Sequence, residues 1–119
     1  MSSEPIFDLK EALSRVDDDY ETFRMMAEVF LEQGPQDLAA IETALEQREA
    51  GAVAKAAHRL KGSVLQFCAG AVVEAAKAVE AAGKGGDVEE AARFFQQLET
   101  EMVRFCEALR TELERDLAA

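Results

Sequence analysis

One histidine stands in the chain, His58, and it is set among cations: Lys55 three residues before it, Arg59 beside it and Lys61 three residues after. From Ala50 to Val73 there is no Asp or Glu, in a chain whose 24 acidic residues outnumber its 13 Lys and Arg for a net charge of −11. A cationic island on an acidic protein is a place for an anionic group. A buried central helix that excludes charge would account for the missing acids, but not for the cations kept around the histidine. Metal chemistry is not expected, because one His and two distant cysteines, Cys68 and Cys106, make a poor ligand set. There is no GxxxxGK[ST] loop and no acidic cluster near His58 to hold Mg²⁺, so nothing here makes phosphohistidine from ATP.

Helical geometry decides which way the histidine faces. At about 100° per residue, Val53, Ala56, Ala57, Leu60, Val64 and Phe67 share one apolar face. His58 points about 150° from the centre of that face, in the company of Gly51, Ala54, Lys55, Lys61, Gly62 and Leu65. It is therefore predicted to be exposed and not a core histidine. Gly62 lies one turn on, on the same side. A mid-helix Gly costs about 1 kcal/mol relative to Ala, and because this one faces away from the core it reads as clearance for an approaching partner.

The elements that carry these residues are all helical. Ala, Glu, Leu, Gln, Arg and Lys dominate, and no useful stretch alternates with the period of a strand. A short helix is predicted over 7–15. Asp17-Asp18-Asp19 breaks it and supplies an N-cap for a helix over 19–33, with Tyr20, Phe23, Met26 or Ala27, and Phe30 inward. Gly34-Pro35 is read as the end of that helix and the start of another, carrying Leu38, Ile41, and Ala44 or Leu45. A corner at Ala50-Gly51 leads to helices over 53–67 and 69–82. Gly83-Lys84-Gly85-Gly86 is read as loop, and Asp87 with Glu90 as a capping box. The last helix carries a stripe from Val88 through Phe95, Leu98, Met102, Phe105 and Leu109 to Leu113, about 42 Å long. Short connections force antiparallel neighbours. The expected fold is all-α: an up-down-up-down antiparallel four-helix bundle, with a short extra N-terminal helix and a long C-terminal one, in a single domain over 1–119.

Composition narrows the function. A chain of 119 residues that is 49% hydrophobic and 31% charged is neither disordered nor low in complexity. Its acidity argues against nucleic acid and anionic membrane as partners. No apolar run is long enough for a bilayer, and the N-terminus lacks the start of a signal peptide. The expectation is a cytoplasmic monomer with two free thiols.

The segment Ala57-His58-Arg59-Leu60-Lys61-Gly62-Ser63 is similar to the AHxLKGS signature of histidine-containing phosphotransfer (HPt) domains of bacterial two-component phosphorelays. Phe30-Leu31 before a proline, the Ala-rich approach to the histidine, and Val79-Glu80 before a Gly-Asp turn also resemble that family, over about residues 8–113. Where the family often has Gly ten residues after the His, this chain has Cys68. The resemblance implies that His58 accepts a phosphoryl group from one receiver aspartate and passes it to another. It implies that Lys61 helps neutralise the phosphate, and that Ala54, Lys55, Arg59, Gly62, Leu65 and Gln66 meet the partner. Ser63 falls toward the core and takes a packing or backbone role. An imidazole is a neutral nucleophile near pH 7, and its N–P bond stays reactive. The protein would then be a carrier and not an enzyme, with no cofactor of its own and Mg²⁺ in the receiver. Its partners would be response-regulator receiver domains and a hybrid histidine kinase. The alternatives are a helical adaptor without phosphoryl chemistry, and the phosphotransfer domain of a chemotaxis-type kinase, which the LKGS form fits less well.

Overall fold

The computed structural model describes residues 6–118, the side chains of 116–118 aside. Five helices follow one another: α1 (Leu9–Ser14), α2 (Tyr20–Glu46), α3 (Ala50–Leu65), α4 (Gly70–Lys84) and α5 (Val88–Ala118). The architecture is the expected one. α2 and α4 each pack on both α3 and α5, and α1 lies against α2. Among the described residues there is no strand.

Local chemistry sets the helix starts. Asp17 and Asp18 take left-handed φ of 55° and 58°, which short polar side chains tolerate. Asp19 then caps α2, its carboxylate accepting from the Glu21 and Thr22 N–H groups. Asp87 accepts from the Glu90 N–H at 2.9 Å and starts α5 as the sequence implies. α5 has 31 residues, about 46 Å of helix at 1.5 Å per residue, and it matches the longest dimension of the molecule, 47 Å.

Several boundaries differ from expectation. α2 does not end at Gly34-Pro35 but runs through Pro35. The proline is exposed, so its ring takes no room from the buried face of the helix. The buried face, Phe30, Gly34, Asp37, Ile41 and Ala44, continues past it without interruption. The next corner sits at Gln47–Glu49, where Arg48 has φ 55°, and Ala50 already begins α3. α4 in turn continues through Gly83 and Lys84. A glycine sits at 83 because α3 approaches so closely: a Cβ there would lie 2.9 Å from the Ala54 nitrogen and 3.0 Å from the Ala50 oxygen. α3 itself ends at Leu65, and Cys68 takes the left-handed turn at φ 57°.

The core is a column of rings with small residues beside it. Phe23, Phe30, Phe67 and Phe105 meet at ring-centroid distances of 5.2–6.0 Å. Phe7 joins from the N-terminal segment at 5.8 Å from Phe105. Rings fill this end of the core. The other end is narrow because Ala50, Ala54 and Gly83 let the α3 and α4 backbones touch. The site lies along that narrow seam.

Candidate functional site

α3 buries the face that its periodicity marks: Val53, Ala57, Leu60 and Val64 are fully covered and Ala56 nearly so. Its opposite face is left to solvent, and the His58 side chain is 67% exposed there. Lys55, Arg59, Gly62, Leu65 and Gln66 are exposed on or beside this face, as expected. Ala54 is not. It is buried by the close approach of Gly83 and forms the floor of a shallow recess, so it is not open surface for a partner. The Ser63 hydroxyl donates to the Arg59 carbonyl, a backbone role.

The residue that organises the site is on the neighbouring helix. Glu80 of α4 is buried, 5% exposed. Its Oε1 accepts from the Lys61 ammonium at 2.8 Å. Its Oε2 lies 2.9 Å from His58 Nδ1 and 3.1 Å from the Lys84 Nζ. The Lys61 ammonium above all, then Lys84 and His58, hold the Glu80 carboxyl down to about 2 from an ordinary 4.5, against burial, which pushes it up. Glu80 is thus ionised and can only accept hydrogen bonds. The proton of a neutral His58 is therefore on Nδ1, and the lone pair is on Nε2. One carboxylate fixes both the orientation and the tautomer of the imidazole.

Gly62 borders this arrangement with nothing within 4 Å of where its Cβ would be. Helical side chains lean toward the N-terminus, so a side chain at 62 would overhang the turn that carries His58. Beyond it, α2 and the end of α3 form an apolar pocket of about 410 Å³, lined by Met25, Met26 and Val29 on one side and Ser63, Gln66 and Phe67 on the other. Met25 and Val29 are 65% and 64% exposed, and Leu65 is 44% exposed. Sequence reasoning missed Met25 and Val29, although two apolar residues four apart, off the buried stripe of α2, were the available signal. It noted Glu80 only as part of a pattern and gave it no role. Among the described residues, no three His, Cys, Asp or Glu side chains come together as a metal site would require. Cys106 is buried, and burial pushes its thiol pKa up.

The Glu80 geometry has a consequence for acid stability. A carboxyl titrating near 2 when folded and near 4.5 when unfolded contributes its full stabilisation above about pH 4.5, and loses it as pH falls toward 2. The difference corresponds to about 3 kcal/mol. In urea melts, Glu80→Gln is expected to be less stable than the parent at pH 6, with the gap closing between pH 4.5 and 2.5. A gap that stays constant across that range would show that Glu80 is not the group responsible.

The Hpt domain family matches residues 25–115 of the chain. In three dimensions the chain is similar to histidine-containing phosphotransfer protein B (HptB) from Pseudomonas aeruginosa PAO1, with a TM-score of 0.87 at 21% identity, over 95% of this chain and 98% of that one. It is also similar to the HPT domain of the Hpt sensor hybrid histidine kinase from Shewanella, with a TM-score of 0.81 at 19% identity, over 92% and 95% of the two chains. At these identities the likeness is one of fold. No curated protein matches the sequence.

Proposed function

The chain belongs to the Hpt domain family and has a phosphotransfer role in a phosphorelay, and from that premise we propose that His58 is the phosphoacceptor, through Nε2. The observation that carries this reading is an exposed imidazole whose Nδ1 is held at 2.9 Å by an ionised, buried carboxylate. The Nε2 lone pair attacks the phosphorus of an aspartyl phosphate on a receiver domain. The P–O bond breaks, the aspartate leaves as carboxylate, and the N–P bond forms. The ring becomes cationic as it gives up the pair, and Glu80 lies in place to stabilise that charge. The reverse sequence delivers the group to a second receiver.

In this reading the protein is a carrier and not an enzyme in its own right. Mg²⁺ is supplied with the acidic pocket of the receiver. The partners are response-regulator receiver domains and a hybrid histidine kinase, met by a cytoplasmic monomer. No helix among the described residues is long and apolar enough to cross a membrane. The receiver docks across Gly62, Leu65 and Gln66, with Met25 and Val29 of α2 extending the contact. Such an apolar patch beside a charged centre suits a transient partner.

The test is transfer from receiver domains carrying labelled aspartyl phosphate. Label should appear on this chain, survive alkali and be lost in acid, as an N–P bond does. A base-labile, acid-stable product would be an acyl phosphate and would overturn the reading.

A further inference from the structure

We propose that the phosphoryl group on His58 is neutralised by Lys55 and Lys84, reaching it from the rim of the recess between α3 and α4, while Lys61 serves to hold Glu80. This rests on His58 being the phosphoacceptor. The resemblance assigns phosphate neutralisation to Lys61, and the disposition of the cations points elsewhere.

Lys61 is committed. Its side chain is only 20% exposed, and among the described residues its ammonium is the one cation paired with Glu80 Oε1. Moving it to a phosphoryl group would leave a buried carboxylate oxygen without its partner, which is costly. Lys84 is free to leave. Its side chain is 68% exposed, and the Oε2 atom it touches also has His58 Nδ1. Lys55 is exposed and makes no ion pair among the described residues. It sits one helical turn before His58 on the same face.

The recess sets where these two cations stand. Ala54, Lys55, His58, Arg59, Glu80 and Lys84 line it. Ala54 gives it a small apolar floor, and the Ala54–Gly83 contact fixes the α4 terminus, and so Lys84, in register with His58. The imidazole leans toward the N-terminal turn of α3, over Ala54 and Lys55. Arg59 borders the recess but projects about 100° around the helix from His58. The charged groups around His58 are Lys55, Arg59 and Lys61 from α3, and Glu80 and Lys84 from α4, with Glu80 on the Nδ1 side of the ring.

Potassium phosphoramidate tests this without a receiver. His58 Nε2 attacks phosphorus, the P–N bond of the donor breaks, and ammonia leaves with the electron pair. The ³¹P resonance of the product is then followed against pH through the last ionisation of the phosphoryl group. Nearby cations hold that group dianionic to lower pH. In Lys55→Ala/Lys84→Ala the midpoint is expected to rise by about one unit, a tenfold gain in proton affinity. Lys61→Gln should move it by less than half as much, while lowering the melting temperature. An unchanged midpoint in the double variant, or an equal rise in Lys61→Gln, overturns the proposal. If Lys61→Gln fails to fold, the double variant decides alone, since both its positions are exposed. A wild-type protein that takes no phosphoryl group, or a signal that persists in His58→Gln, removes His58 from the chemistry and this proposal with it.

Discussion

Replacing His58 by Gln is expected to abolish phosphoryl uptake while leaving the fold intact. The side chain is two-thirds exposed and belongs to no part of the core, so its loss opens no cavity. Lys84 stays on Glu80 Oε2 at 3.1 Å and Lys61 on Oε1, so the buried carboxylate is still served. What disappears is the nucleophile, because a carboxamide nitrogen shares its lone pair with its carbonyl. With one histidine in the chain there is no substitute. Labelled transfer from a phosphorylated receiver should fall below detection, and the helical signal and melting temperature should stay within the small range of surface substitutions, about 0.5 kcal/mol. Label at the wild-type level on the variant would mean that another group accepts the phosphate.

At Gly62, stability and transfer are expected to move in opposite directions. Alanine there meets nothing within 4 Å and should stabilise the domain by about 1 kcal/mol, the cost of a mid-helix glycine. Glutamine is also a good helix former at an exposed position, so Gly62→Gln should fold. Its side chain leans back over the His58 turn and stands where the receiver must come to reach Nε2. Transfer should drop by about 100-fold or more, as a clash at an interface centre does. Gly62→Glu should be worse still, adding repulsion toward the acidic pocket of the receiver. A folded Gly62→Gln that transfers at the wild-type rate would place the docking surface elsewhere, and one that unfolds would make Gly62 a packing residue. Gly83 is the internal contrast. The same Gly→Ala change there puts a methyl 2.9 Å from backbone, which should cost about 1–3 kcal/mol as overpacking does.

The orientation of α3 was legible because one helix contains the whole signal. Five apolar positions from Val53 to Val64 define a face, all five are buried along with Phe67 just past the helix end, and the exposure of His58 follows from the angle between them. The caps at Asp19 and Asp87 were legible for the same reason, since each lies within three residues of what it satisfies. Glu80 was not. It is 22 residues from His58 in sequence, and only the packing of α4 on α3 brings it within 2.9 Å. Ala54 was misjudged on the same account: the α3 periodicity alone places it on the histidine side, and the absence of a side chain at Gly83 allows α4 to cover it. Pro35 misled because proline reports what it does to its own hydrogen bond, not whether a buried face continues on either side of it.

Because one carboxylate serves Lys61, His58 and Lys84 together, substitutions at these four positions are not independent. The first cation removed leaves Glu80 with two partners, and the second removal costs more than the first. If Glu80 is neutralised beforehand, either cation is released cheaply. Double-mutant cycles between Glu80 and each partner should therefore give coupling energies of about 0.5–3 kcal/mol, and single-residue losses summed over the site should exceed what the cluster contributes as a whole. Sequence drift at this seam is correspondingly ordered: exchanges at 61 and 84 come cheaply only once position 80 has lost its buried charge.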